Sequence, residues 1–291
     1  MVNRFNSAVG PLGNKIIGWV SNMEKTGGRE NKYERLVFVT GPARSGTTLL
    51  NRILCSGNNH IQFPECTIIT TIIKTMVRHN SATPDRFQAY FGSEDTKLQI
   101  YRTHIDNVIS NLLRDQPHKF GLVLKDPDIA LYFNEYRALF PEAYFVFIVR
   151  DPRDVVASRK DVVLRKNLEF TLDHVLETVK VDFNRMAARH RSLINDPQVA
   201  FVRYEDLVHS TEASIKYLEN FVGTTLSREL NGQSNSKDNP FSTPISTSGR
   251  VSEDSAGSFQ SRLTEAERDI AQNALAYQIR FADNVSHIGK T

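Results

Sequence analysis

The chain has 291 residues, and a composition of 40% hydrophobic and 24% charged residues is that of an ordinary soluble globular protein. A net charge of +3 is too small an excess to argue for nucleic acid, and suits a small anionic ligand equally well. Two cysteines in this length, Cys55 and Cys66, do not make a disulfide framework, so a reducing, cytoplasmic compartment is expected.

Residues 1–33 read as a loosely structured arm, and 34–291 as a single domain. The apolar run of the arm, Ile16 to Val20, is too short for a signal-peptide core or a membrane span. Asn14 to Met23 is read as packing on the domain rather than on a membrane surface or a partner.

Leu36 to Thr40 reads as the first buried strand. It runs into Gly41-Pro42-Ala43-Arg44-Ser45-Gly46-Thr47-Thr48, with a helical pattern over Thr47 to Leu54. The two glycines and Thr48 have the spacing of the loop G-x-x-x-x-G-K-[ST], whose backbone N–H groups and helix N-terminus cradle phosphates. Thr47 stands where the lysine belongs, and the nearest positive charge is Arg44. Such a loop suits an anion, but lacks the group that reaches the outer phosphates of ATP. A plain capped turn explains less well why two glycines, a proline and three hydroxyl residues coincide after a strong strand.

Helical patterns continue over Thr67 to Val77 and Leu98 to Leu113. A strand over Leu122 to Lys125 ends in Lys125-Asp126-Pro127, and a helix is predicted over Ile129 to Leu139. The strand Tyr144 to Val149 runs into Arg150-Asp151-Pro152-Arg153-Asp154. Pro152 suits the first turn of a helix, Asp154 offsets its dipole, and Ser158 lies further along it. Arg153 and Asp154 read equally well as a solvated ion pair. Then come a helix over Leu172 to Leu193, a strand over Val199 to Tyr204, and helices over Glu212 to Phe221 and Thr264 to Phe281. Asn231 to Ser258, rich in Ser, Asn, Gly and Thr, reads as a long functional loop.

Four strands that are apolar on both faces and separated by helices imply right-handed βαβ units. The expected fold is a P-loop-type three-layer α/β/α arrangement with a central parallel sheet. Ligands of such sheets bind beyond the carboxyl ends of the strands. Arg44, Lys125, Arg150 and Tyr204 all fall there, and Arg150 with Ser158 could hold a second phosphate.

"GPARSGTTLL" (Gly41 to Leu50) resembles the 5′-phosphosulfate loop of the sulfotransferases that use 3′-phosphoadenosine 5′-phosphosulfate, and "VRDPRDVVAS" (Val149 to Ser158) resembles their 3′-phosphate motif. "FVRYEDLV" (Phe201 to Val208) is similar to the strand that follows in many members. The resemblance runs in order from about Leu36 to about Leu263, and is nearest to the tyrosylprotein and bacterial members. It implies a donor with one 5′-phosphate joined to a sulfuryl group, a task that needs no lysine at position 47 and no metal.

The resemblance also implies roles. Glu65, in His60-Ile61-Gln62-Phe63-Pro64-Glu65-Cys66-Thr67, matches the family's general base; an acid merely opening the next helix is the simpler alternative. Lys125, in "LKDP", and Arg44 match cations at the transferring group. Arg44, Ser45, Gly46, Thr47, Thr48, Arg150, Ser158, Tyr204, Arg250 and Ser252 are placed among the donor-binding residues, Tyr204 near the adenosine or else in the core. His60 is an alternative base whose position does not match that of the histidine-using members; His104 and His118 stay unassigned. Gly257-Ser258-Phe259-Gln260 departs from the family's Gly-x-Trp-Arg: the aromatic is kept and the cation is lost, with Arg250 as a candidate replacement. The acceptor is an open hydroxyl (peptide tyrosine, glycan, lipid or small molecule). No nucleic acid or membrane span is expected, and a homodimer is left open. A small-molecule or nucleotide kinase and an inactive nucleotide-binding module are the competing readings. The missing lysine argues against the first, and the joint presence of Arg44, Glu65, Lys125 and Arg150 against the second.

Overall fold

The first strand, β1 (Tyr33–Thr40), lies at the centre of a five-stranded parallel sheet. A computed structural model describes residues 33–57, 60–82, 84–114, 120–227 and 255–285. After β1 come α1 (Thr47–Leu54), β2 (His60–Gln62), α2 (Thr67–Ala82), α3 (Pro84–Phe91), α4 (Glu94–Leu112) and β3 (Phe120–Lys125). A 3-10 turn (Pro127–Ala130) leads to α5 (Phe133–Leu139), β4 (Tyr144–Val149), α6 (Pro152–Arg165), α7 (Leu172–Leu193) and β5 (Val199–Arg203). Helices α8 (Tyr204–His209), α9 (Thr211–Val222), α10 (Phe259–Arg262), α11 (Glu265–Ala274) and α12 (Ala276–Asn284) complete the described chain.

The strand order is β2-β3-β1-β4-β5. From β1 the chain goes to the edge at β2, returns to fill the gap with β3, then crosses to the other side for β4 and β5, and β1 sits at the reversal where open α/β sheets bind ligands. Successive β1 residues alternate between two cores. Leu36 and Phe38 pack with Ile69, Ile105, Tyr136, Val155 and Phe183, under α2, α4, α5, α6 and α7. Val37 and Val39 pack with Leu50, Leu207 and Ile215, under α1, α8 and α9. Both faces of the sheet are covered, which is why its strands are apolar throughout.

Several elements differ from the sequence expectation. The sheet has five strands, not four: β2 spans His60–Gln62, and three residues are too few to show alternation. Tyr204 opens α8 rather than closing β5. The helix expected over Ile129 to Leu139 is a 3-10 turn followed by α5. Asp126 caps that turn, accepting from the Asp128 N–H at 2.9 Å, and Pro127 fixes its first residue. The helix expected over Thr264 to Phe281 is two helices, because the fully buried Leu275 leaves helical dihedrals. Helix α3 gave no signal strong enough to be read. Asn14 to Met23, His118, Arg250, Ser252 and most of the loop expected over Asn231 to Ser258 lie outside the described residues. Among the described residues no helix is long and apolar enough to cross a membrane.

Candidate functional site

The loop between β1 and α1 is shaped by two glycines that touch their surroundings with bare backbone. A Cβ on Gly41 would lie 2.3 Å from the Ile148 carbonyl oxygen, so the loop leaves β1 hard against β4. Gly46, with φ 99°, is the N-cap of α1, and a Cβ there would lie 2.5 Å from the Tyr204 ring. Arg44 is also left-handed, at φ 79°, a conformation that costs a non-glycine residue energy and recurs at binding sites. The buried Ser45 Oγ has no hydrogen-bond partner among the described residues. A buried orphan hydroxyl beside a helix N-terminus suits an anionic group that would satisfy it.

Lys125 ends β3 beside the loop, because Val39 of β1 pairs with it in register. Its Nζ donates to Thr48 Oγ1 at 3.2 Å and to Glu65 Oε1 at 2.9 Å. Glu65 reaches this point because β2 pairs with β3, and the turn after β2 is stitched to the same strand end by Cys66 N–H to Lys125 O at 2.9 Å. The Lys125 side chain is buried and that of Glu65 is 38% exposed, so the pair has one dry end and one end open to solvent. Beneath it, Thr70 donates to Asp126 Oδ2 at 2.8 Å and its hydroxyl lies 2.7 Å from Tyr136 OH, tying α2 and α5 to the end of β3. Burial pushes the neighbouring Cys66 thiol well up, so it is no nucleophile.

Arg150, directly after β4, is buried and directed inward. It donates to the backbone oxygens of Ser255 and, at 3.4 Å, Arg44; it pairs with Asp154 Oδ2 at 3.3 Å and stacks 4.5 Å over the Tyr204 ring. Asp154 does more than offset the helix dipole, a role its place in the first turn of α6 does not reveal. Its carboxylate, fully buried, accepts from Gly257 N–H at 2.9 Å, Phe259 N–H at 2.8 Å and Ser258 Oγ at 3.2 Å. Arg153 stacks 4.2 Å over the Phe259 ring. Arg153 and Asp154 are therefore not a solvated ion pair: both hold the late segment. No local pattern reveals partners about a hundred residues away.

Arg44 Nε donates to Ser158 Oγ at 3.0 Å, so the loop and α6 share one polar contact. Burial, then the Arg165 and Arg150 cations, lower the Arg44 guanidinium from its usual value, while Glu65 opposes the shift. Arg159, unread in the sequence, joins the loop to α7 through Ala43 O at 3.4 Å and Asp182 at 2.6 Å. Tyr204 lies buried behind Gly46. His60 pairs in register with Gly121, four residues before Lys125, which sets its backbone about 13 Å back from the strand end. His104 is exposed on α4. Among the described residues, no group of three or more His, Cys, Asp or Glu side chains could hold a metal ion.

The arrangement offers a backbone cradle for one anion, two cations beside it, and a half-exposed carboxylate on one of those cations. Residues 37–228 match a family described as the sulfotransferase family. A putative protein-tyrosine sulfotransferase of Caenorhabditis briggsae is 26% identical over 217 residues, covering 69% of this chain and 69% of that protein. Among solved structures, the sulfotransferase domain of the Synechococcus PCC 7002 olefin synthase superposes with a TM-score of 0.56 at 15% identity, covering 88% of this chain and 95% of that one. The sulfotransferase domain from the curacin biosynthetic pathway gives 0.50 at 16% identity, with 83% and 97% covered. At these identities the structural likeness speaks for the fold.

Proposed function

This chain belongs to the sulfotransferase family, and from that premise we propose that it transfers a sulfuryl group from 3′-phosphoadenosine 5′-phosphosulfate to an acceptor hydroxyl. Glu65 is the general base, and Lys125 with Arg44 stabilises the transferring group. The observation that carries this reading is the position of Lys125 Nζ, in hydrogen-bond reach of both Thr48 Oγ1 and Glu65 Oε1. It places one ammonium between the anion cradle and the candidate base.

In the proposed reaction a new S–O bond forms to the acceptor oxygen and the bond from sulfur to the phosphate oxygen breaks. Glu65 takes the hydroxyl proton as its oxygen becomes a nucleophile. The charge left on the phosphate is met by Lys125, Arg44 and the N–H groups of Gly46 to Thr48. These groups are fixed before reaction by the ties described above, so little reorganisation is needed. The orphan Ser45 Oγ supports an anion at this point. Arg150 braces the wall on which Tyr204 and Ser255 sit, and with Ser158 it serves the donor's 3′-phosphate end.

The test is transfer of labelled sulfuryl from the donor to a panel of acceptors, with release of 3′-phosphoadenosine 5′-phosphate. A tyrosine-containing peptide heads the panel, since the Caenorhabditis relative is named for that acceptor. ATP-dependent phosphorylation instead would establish a kinase. Tight donor binding with no turnover of any acceptor would establish an inactive binding module.

A further inference from the structure

The left-handed backbone of Arg44, at φ 79°, is one that an arginine does not favour. Such strain persists only where the surroundings over-determine it. Packing does not do so on the side of α7, where Gly41, Pro42 and Ala43 border a cavity of about 60 Å³ that they share with Asp182, Arg185 and Met186. Polar contacts do it instead. The peptide on either side of Arg44 is met by another arginine: Ala43 O accepts from Arg159 Nη2 at 3.4 Å, and Arg44 O from Arg150 Nη1 at 3.4 Å. In a trans peptide the N–H points away from the C=O, so turning these carbonyls outward sets the direction of the whole loop. Ser158, next to Arg159 in the chain, accepts from Arg44 Nε at 3.0 Å. Consecutive residues of α6 thus hold the backbone of the loop and the side chain of Arg44.

Arg159 is itself anchored on α7. Its Nη1 donates to Thr178 Oγ1 at 2.9 Å and its Nη2 to Asp182 Oδ2 at 2.6 Å. Thr178 gives its own proton to the Val175 carbonyl at 2.8 Å, so its oxygen is committed to accepting. The planar guanidinium is thereby fixed in orientation. Its Nε N–H is buried and has no partner among the described residues. If position 159 served only to join α6 to α7, a lysine paired with Asp182 would do so without burying an idle N–H. What a lysine lacks is the fork that reaches Thr178, Asp182 and Ala43 at once. We propose that Arg159 is a positioning residue for sulfuryl transfer: braced on α7, it fixes the Ala43–Arg44 peptide and so aims the Arg44 guanidinium at the transferring group.

This inference rests on the role of Arg44 proposed above, and the experiment separates the two. Arg159→Met, Arg159→Lys, Arg44→Ala and the Arg44→Ala/Arg159→Met double variant are compared with wild type. Transfer is followed with labelled donor and the best acceptor of the panel, and stability by urea denaturation. Arg159→Met should lower kcat about tenfold to a hundredfold, the scale of a misplaced catalytic group, with the acceptor KM unchanged. Arg159→Lys should regain the ion pair with Asp182 and most of the stability, but not kcat. In the Arg44→Ala background Arg159→Met should cost no further kcat, since no guanidinium is left to aim. If kcat returns with stability in Arg159→Lys, Arg159 only fastens α6 to α7 and the inference is overturned. Equal losses from Arg159→Met in the two backgrounds overturn it as well. Should Arg159→Met fail to fold, Arg159→Lys carries the test alone. If Arg44→Ala leaves transfer unchanged, the role of Arg44 falls and this inference with it. Wild type that sulfates no acceptor overturns the donor reading itself, and this inference falls with that reading.

Discussion

Lys125 Nζ lies 2.9 Å from Glu65 Oε1, and the turn that carries Glu65 is fastened to the backbone of Lys125 itself. The candidate base and the candidate electrophilic cation are thus positioned by the same strand end. Glu65→Gln keeps the shape of the side chain but cannot take a proton. It should lower kcat by about 10²–10⁴. The loss belongs in kcat rather than in donor affinity, because Glu65 lies outside the anion cradle. Single-turnover kinetics with calorimetry of donor binding separates the two, and a near-normal kcat would pass the base role to another group.

Thr48 occupies the position whose hydroxyl holds Mg²⁺ in nucleotide-hydrolysing loops of this spacing. Here that hydroxyl accepts from Lys125 Nζ at 3.2 Å, so a side-chain cation stands next to it. Transfer should therefore persist in EDTA. Lys125→Gln should cost about 10²–10³ in kcat, as removal of one preorganised donor does, and added Mg²⁺ should not restore it. Loss of wild-type transfer in EDTA with recovery on adding Mg²⁺ would oppose this account.

Asp154 gathers two backbone N–H groups and one hydroxyl from residues 257–259, and its counter-ion is the buried Arg150. Asp154→Ala leaves those donors without their acceptor and takes the counter-ion from the buried Arg150, which keeps only its carbonyl contacts and the Tyr204 ring. Breaking a buried pair in this way costs about 3–5 kcal/mol. Chemical denaturation should show the loss, and the segment 255–262 should become sensitive to proteolysis before the rest of the domain unfolds. A stability change under about 1 kcal/mol would mean that the anchor contributes little.

The parts legible in the sequence were those whose physics is local. The β1 strand, the glycine spacing of the loop, the start of α1 and Pro152 at the head of α6 all announce themselves within a dozen residues. The sheet followed from strands that are apolar on both faces. What escaped was set by distant partners. Asp154 looks like any acid in a first helical turn until Gly257 and Phe259 are seen on its carboxylate. Arg262 looks like a surface residue until it is seen to line one cleft with Arg44. Strand β2 is three residues long and exists as a strand because β3 offers an edge to pair with. The break at Leu275 carries neither glycine nor proline, so tertiary packing overrode a continuous helical pattern.

Asp126 follows Lys125 and ties α2 and the 3-10 turn to the sheet through Thr70 and the Asp128 N–H. Burial pushes its carboxyl above the ordinary carboxylate range; the Asp128 N–H and the Thr70 hydroxyl pull it back only in part. The sign of the consequence follows from proton counting. Between the unfolded and the raised folded pKa, the native state holds a proton that the unfolded chain has released. Stability therefore falls as pH rises through that window, which begins near about pH 4. Glu205 shifts in the same direction by burial, while Glu267 shifts the opposite way because its burial is outweighed by its hydrogen bonds from Lys160 and Thr264, so the wild-type slope has other contributors as well. Asp126→Asn removes one of them. Its carbonyl can still accept from Asp128, and its amide can donate to Thr70 Oγ1, which then donates to Tyr136. Urea denaturation from about pH 4 to 6 should give a flatter stability profile for Asp126→Asn than for wild type, with the curves diverging as pH rises. Parallel curves would mean that the Asp126 carboxyl ionises alike in the folded and unfolded chain, and that the hydrogen bonds from Thr70 and Asp128 fully offset its burial.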